Sequence, residues 1–125
     1  MSKNILIMED DIALRNFFSQ VLSHSNCNVA TSATRIDALH HIHNSNFDYL
    51  LFDIEVEDGN SLDLIAQCCD DGYNVVVITA NEQYLADCKE MGVMAFIRKP
   101  IAASDLIKVV TNIDDLNLPH MYIRH

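Results

Sequence analysis

The sequence predicts a doubly wound α/β fold, in which five strand–helix units build one parallel sheet covered on both faces. Two patterns carry this. Apolar runs of about five residues, too short for helices, alternate with longer stretches whose apolar residues recur at three and four. The short runs are continuously apolar instead of alternating, as strands with both faces buried must be. Right-handed crossovers then leave few topologies.

The elements follow in order. Asn4 to Met8 reads as the first buried strand. Asp11 opens a helical pattern in which Leu14, Phe17, Phe18, Val21 and Leu22 share a face. Asn28 to Thr31 is the second strand, and Ile36, Leu39 and Ile42 mark a second amphipathic helix with Thr34 as its cap. Phe47 to Phe52 is the third strand. Asn60 or Ser61 then caps a helix bearing Leu62, Leu64, Ile65 and Cys68. Asn74 to Ile78 holds three consecutive valines, which suit a fully buried strand. Asn81 caps a fourth helix running to Met91, and Gly92 stops it. Val93 to Ile97 is the fifth strand. Ser104 caps a last helix with Leu106, Val109, Val110 and Ile113 on one side. We expect a domain over residues 1–118 and a C-terminal tail, or the start of a linker, over 119–125.

Composition narrows the function classes. The 125 residues suit one domain, which at this size needs no disulfide or metal staple to fold. Half are hydrophobic, too many for a disordered chain. No apolar run approaches the ~20 residues that span a bilayer. The N-terminus has no secretory apolar region, so a cytoplasmic protein is expected. Eighteen acids against eight Lys and Arg give a net charge of −10. Nucleic acids and anionic membranes need clustered cations, so neither is an expected partner. Cys27, Cys68, Cys69 and Cys88 lack zinc-ligand spacing and read as reduced thiols.

In an open parallel sheet, ligands bind beyond the carboxyl ends of the strands, where strand order reverses. Glu9, Asp10 and Asp11 follow the first strand here. Asp53, Glu55, Glu57 and Asp58 follow the third, Thr79 and Ala80 the fourth, and Arg98, Lys99 and Pro100 the fifth. Carboxylates facing each other across adjacent strands repel unless a cation lies between them. Few, hard oxygen ligands suit Mg²⁺, which keeps waters for a phosphate to replace. A carboxylate, a divalent cation, a lysine and a hydroxyl are the parts of an aspartyl-phosphate site.

From about Lys3 to Leu116 the chain resembles the receiver domains of bacterial response regulators. The likeness rests on four stretches, each at an expected strand end: Ile-Leu-Ile-Met-Glu9-Asp10-Asp11, Tyr-Leu-Leu-Phe-Asp53, Val-Val-Ile-Thr79-Ala80 and Phe96-Ile-Arg-Lys99-Pro100. The resemblance implies a flavodoxin-like fold with strand order 2-1-3-4-5. It makes Asp53 the phosphoacceptor, served by a sensor histidine kinase or phosphotransfer protein. Mg²⁺, with Mn²⁺ as an alternative ion, would be held by Asp10 directly, by Glu9 through water, by Asp53 and by the Glu55 backbone carbonyl. Leu14-Arg15 lies at the family's usual offset, which selects Glu9–Asp10 over Asp10–Asp11 as the metal pair. Thr79 and Lys99 would bind the phosphoryl oxygens. Thr79 would move toward the new dianion and leave space for Phe96, the switch aromatic, to turn inward. The face made by the fourth helix, fifth strand and fifth helix would then change, as a two-state population shift. The Lys99–Pro100 bond is often cis in this family.

The resemblance also implies a downstream effector protein or fused output domain, and it allows a phosphorylation-linked homodimer. An enzyme in the ordinary sense is not implied. Glu57 and Ser61 replace the Pro and Gly common in the family, which leaves the shape of their loop open. Glu55 and Asn81 hold the positions that set phosphoryl lifetime. Two other classes compete with this reading. One is a pseudo-receiver that binds proteins without phosphoryl chemistry, which the retained Asp53, Thr79 and Lys99 oppose. The other is a phosphohydrolase, whose nucleophile would be expected after the first strand. Asp53-x-Glu55-x-Glu57-Asp58-Gly59 imitates a calcium loop, but its glycine falls one place late and Leu64 stands at the twelfth position. Of His40, His41 and His43, only the first and last share a helix face, a weak basis for a metal site.

Overall fold

The computed structural model describes residues 2–125. Its elements are β1 (Lys3–Met8), α1 (Ile12–Ser23), β2 (Cys27–Ser32), α2 (Arg35–Asn44), β3 (Tyr49–Phe52), the paired short strands β4 (Glu55–Val56) and β5 (Gly59–Asn60), and α3 (Leu62–Asp70). Then come β6 (Val75–Thr79), a 3₁₀ turn (Glu82–Tyr84) leading into α4 (Leu85–Met91), β7 (Ala95–Arg98), α5 (Ala103–Thr111), a second 3₁₀ turn (Ile113–Asp115) and β8 (Tyr122–Ile123).

The main sheet has the order β2-β1-β3-β6-β7-β8. Its first five strands are parallel and form the doubly wound, flavodoxin-like core expected from the sequence. Both faces are buried, which explains the unbroken apolar runs. Leu6, Met8, Val75 and Val77 point into one cluster, with Leu50, Phe52, Ile65 and Phe96. Ile5, Ile7, Val76 and Ile78 point into the other, with Phe18, Leu22, Leu106 and Val110. Each strand therefore contributes apolar residues to both faces.

Helix boundaries follow local chemistry. Asp11 caps α1 by accepting from the Leu14 N–H (2.9 Å), and Thr34 caps α2 by accepting from Asp37 N–H (3.0 Å). Gly92 ends α4 at φ 90°, a left-handed cap that suits glycine. At α3, the Asn60 side chain accepts from Leu62 N–H (2.8 Å), while the Ser61 hydroxyl makes no capping bond.

Three local expectations fail for identifiable reasons. The stripe expected to bury α2 does not do so: Ile36 is 74% exposed and Leu39 38%. Ala38 is the buried residue of this helix, and of the stripe only Ile42 packs against the core. Ser104 does not cap α5, which starts two residues earlier than that cap would give, at Ala103 after Ala102, with no side-chain cap. The third strand begins at Tyr49, not Phe47. The residues before it are held by Asp48, whose N–H donates to Asn4 O and whose carboxylate accepts from Asn4 N–H.

The C-terminal stretch expected as a tail carries β8, antiparallel to β7, with Ala95 opposite Ile123 and Phe96 opposite Tyr122.

Candidate phosphoacceptor site

Strand register assembles the site. Met8 lies opposite Phe52 in the β1–β3 ladder, so the next residues, Glu9 and Asp53, leave the sheet side by side. Thr79 lies opposite Arg98 in the β6–β7 ladder, which puts Lys99 one residue beyond the pair. The backbone fixes these positions further. Asp53 N–H donates to Met8 O (3.0 Å), Glu9 N–H to Ser32 O (2.9 Å) and Lys99 N–H to Thr79 O (2.8 Å).

One ammonium ties the strand ends together. Lys99 Nζ lies 2.6 Å from Asp53 Oδ2 and 2.6 Å from Glu9 Oε1. Glu9 is 2% exposed and Asp53 9%, so both carboxylates are largely out of water. Asp53 Oδ1 also accepts from Ile54 N–H (2.7 Å), and Glu9 Oε2 from Asp11 N–H (3.1 Å). Glu9 Oε1 receives no well-directed hydrogen bond, and the Lys99 charge is its compensation. Burial raises the Glu9 carboxyl above its ordinary value, outweighing the downward pull of Lys99 and the Asp11 N–H. Burial alone would lower the Lys99 ammonium. Its hydrogen bond to Asp53 and its charge pairing with Asp53 and Glu9 prevail and hold it above the ordinary lysine value. The Lys99–Pro100 peptide is cis.

The other expected residues are placed as follows. Asp10 is exposed, and its carboxylate makes no hydrogen bond or ion pair among the described residues. No three His, Cys, Asp or Glu side chains among the described residues close on a single metal point. Thr79 is buried at the end of β6, and its hydroxyl accepts from Asn81 N–H (3.3 Å) without bonding to Asp53. Phe96 is fully buried already, facing the cluster of Phe52, Val77 and Cys88 with Tyr122 beside it. Glu55 is exposed, and its carboxylate accepts from the Tyr84 hydroxyl (3.1 Å).

The loop left open by Glu57 and Ser61 is a two-residue hairpin: β4 and β5 pair with Glu55 opposite Asn60 and Val56 opposite Gly59. Ser61 closes it onto the site. Its hydroxyl donates to Asp53 O (2.8 Å) and its N–H to Ile54 O (2.7 Å), with the side chain fully buried. Asp58 turns away from the site. It accepts from Arg35 N–H (2.8 Å) and Ile36 N–H (3.2 Å) at the start of α2, and the Arg35 guanidinium donates back to the carbonyls of Asp58 and Asn60. Gly59 sits under that guanidinium at φ 122°, where a Cβ would stand 3.3 Å from Arg35 Nη2. Sequence reasoning did not find Ser61, Tyr84 or Arg35 as supports, because each acts through a partner more than 20 positions away or through main-chain atoms. Ser61 alone carried a signal, as a hydroxyl where the family has glycine.

Residues 5–111 match the family described as "Response regulator receiver domain". The chain belongs to that family. This receiver is 28% identical over 111 residues to the swarming motility regulation protein RssB of Serratia marcescens, covering 86% of this chain and 51% of that protein. The chain spans about half the length, or less, of the curated relatives it matches. It superimposes on a CheY-like receiver domain protein from Methanospirillum hungatei JF-1 with a TM-score of 0.82, at 27% identity, covering 88% of this receiver and 91% of that chain. It also matches the response regulator TrrA of Thermotoga maritima, crystallised in complex with Mg²⁺-BeF, with a TM-score of 0.77 at 20% identity over 86% and 96% of the two chains. That last likeness is one of fold. Receiver domains are the signalling phosphoacceptors of two-component systems, not classical enzymes, and they work with partners such as histidine kinases and output domains. No helix among the described residues of this receiver is long and apolar enough to cross a membrane.

Proposed function

We propose that this receiver accepts a phosphoryl group on Asp53 from a phosphohistidine of a sensor kinase or phosphotransfer protein, assisted by Mg²⁺. The observation that carries this reading is the Lys99 ammonium, 2.6 Å from both Asp53 and the buried Glu9 at the carboxyl ends of neighbouring strands. Ligands of this fold bind there. The donors fit a hard divalent cation. Glu9 Oε1 is a buried carboxylate oxygen without a well-directed hydrogen bond, and Asp53 shares its counter-charge. Asp10, Asp53 and the Glu55 carbonyl would hold the ion, with Glu9 assisting through water. When bound, Mg²⁺ supplies charge neutralisation for the phosphoryl oxygens.

The chain's own residues do the rest. The Asp53 carboxylate attacks phosphorus in line, an O–P bond forms, and the P–N bond to the donor imidazole breaks. Lys99 moves from carboxylate to phosphoryl oxygen and stays paired throughout. Thr79, buried next to the strand end, turns its hydroxyl proton toward the new dianion. Burial at the site strengthens each of these interactions.

The test is incubation with Mg²⁺ and a small phosphodonor, followed by intact-mass measurement, with beryllofluoride as the stable mimic. We expect a gain of one phosphoryl group in the parent chain and none in Asp53→Asn. An unmodified parent chain that also fails to respond to beryllofluoride would overturn the reading in favour of a binding module without phosphoryl chemistry.

A further inference from the structure

The segment 118–124 crosses the edge of the sheet nearest Lys99 and is fastened at several separate points. Tyr122 and Ile123 pair with Phe96 and Ala95 of β7, and Arg124 N–H donates to Met94 O (2.9 Å). The Arg124 guanidinium donates to Gly92 O (2.7 Å), the residue that ends α4. Lys89 of α4 places its ammonium 5.0 Å from the centre of the Tyr122 ring. His120 Nδ1 lies 3.3 Å from Glu82 Oε1 at the start of the α4 region, and the same oxygen takes Arg98 Nη1 at 2.7 Å. Opposed residues in an antiparallel pair project to one face, so Tyr122 lies beside the buried Phe96 on the same side of the sheet.

These fastenings join the segment to the site through one short strand. β7 carries Phe96 under Tyr122, then Arg98 on Glu82, then Lys99 on Asp53 and Glu9. Glu82 Oε1 faces both Arg98 of β7 and His120 of the segment, on the solvent-exposed side of this contact, and the β7–β8 pairing carries the main connection.

We propose that residues 118–124 form an autoinhibitory strap that holds β7 and α4 in the unphosphorylated arrangement and is loosened when Asp53 is modified. This rests on the phosphoacceptor reading above. A phosphoryl group on Asp53 draws Lys99 away from Glu9 and shifts the end of β7 that carries Arg98. The strap, fixed to β7 and to both ends of the α4 region, opposes that shift. By linkage, a strap that modification weakens must itself weaken modification by the same factor. The loosened strap uncovers the hydrogen-bonding edge of β7, an open template for another strand.

The experiment uses the full chain with Mg²⁺ and beryllofluoride, read by amide hydrogen exchange and NMR. We expect the Arg124 amide to exchange at least about fivefold faster once beryllofluoride is bound, while amides of β1 keep their rates. The double variant Tyr122→Ala, Arg124→Gln should bind beryllofluoride about fivefold more tightly than the parent, as reciprocity demands. If the Asp53 and Ile54 amides shift with beryllofluoride but Arg124 exchange and the variant's affinity do not change, the strap is only an edge cover and the proposal fails. If no amide near Asp53 responds, the phosphoacceptor reading fails first and the strap loses its trigger.

Discussion

The two ends of this sheet carry similar residue types and use them differently. At the amino end, Lys3 sends its ammonium to the Val110 carbonyl and lies 5.4 Å from the Tyr49 ring centre. Exposed Asn and Asp side chains nearby bond to the main chain and to one another: Asn4 N–H to Asp48, Asn28 to Asn4 and Asn74 to Asp48 O. That end also has a wide hollow of about 570 Å³ lined by Lys3, Asp48, Tyr49 and Tyr73 among others. At the carboxyl end, Lys99 meets two buried carboxylates. Hollow volume does not single out the end proposed to react. What distinguishes it is charge removed from water and held by a single partner, which any new anion must disturb.

The largest expected difference is chemical. Asp53→Asn should abolish phosphoryl uptake from a small donor, while Asp48→Asn at the other end leaves it at the parent level. Intact-mass measurement of both variants checks this. Equal uptake by the two variants would break the contrast between the ends.

The second contrast sets the two lysines against each other. Lys99→Met leaves Glu9 and Asp53 facing one another without a cation, and unpairing buried charge costs about 3 kcal/mol. Lys3→Met loses one main-chain hydrogen bond and a partly exposed ring contact, and should cost about 1 kcal/mol or less. Urea unfolding of both variants measures the difference, in EDTA so that no divalent ion substitutes for the ammonium.

The pH dependence has a definite sign. The Glu9 carboxyl is raised in the folded chain, so the folded state binds its proton more tightly. That contribution therefore favours folding at low pH and fades as pH rises from the ordinary 4.5 through the raised value. The Lys99→Met deficit should accordingly shrink at about pH 4, where Glu9 is neutral, and be largest near pH 7. Lys99 is raised too, so its stabilisation is complete below the ordinary 10.5 and is lost as pH climbs through its higher folded value. A parent chain whose stability is flat on raising the pH past that value would contradict the double pairing.

How far the sequence displays this contrast depends on what each residue touches. Glu9, Asp53, Thr79 and Lys99 follow apolar runs that could only be buried strands, so their position at one sheet end is legible from hydrophobic pattern alone. The order of the five core strands follows from the same runs with the family likeness. The partners of these side chains are less accessible. Asp10 and Glu9 are adjacent in sequence, yet only Glu9 turns into the site. Ile36 and Leu39 are exposed while Ala38 is the buried residue of α2, a facing that a periodic pattern of larger apolar residues does not convey. β8 was hidden because Met121 to Ile123 is too short to register as a strand without β7 beside it. That Tyr122 lies beside Phe96 depends on the same pairing and is equally hidden in the sequence.

A further pair of variants tests how the carboxyl end is supported. Ser61 is buried, and its hydroxyl donates to the carbonyl of the residue that bears the site's carboxylate. Ser61→Ala leaves that carbonyl unsatisfied and should cost about 1 kcal/mol in urea unfolding. Ser61→Gly, which restores the residue common in the family, should cost at least as much here, since it also frees the backbone at the hinge of the β4–β5 hairpin. A neutral result for both would mean that water reaches the Asp53 carbonyl.

The smallest effect is expected where water already competes. Asp48 Oδ2 accepts from Asn4 N–H at 2.7 Å on the exposed amino end. In Asp48→Ala, solvent replaces the lost acceptor, so the cost should stay near or below about 0.5 kcal/mol, the range of ordinary surface substitutions. Set beside Ser61→Ala, this separates the bond from its setting. Both remove one acceptor–donor pair to the main chain, but only Ser61 leaves its partner without water. Equal losses in the two variants would mean that burial does not govern these bonds, and the distinction between the two ends of the sheet would reduce to the acids and Lys99 alone.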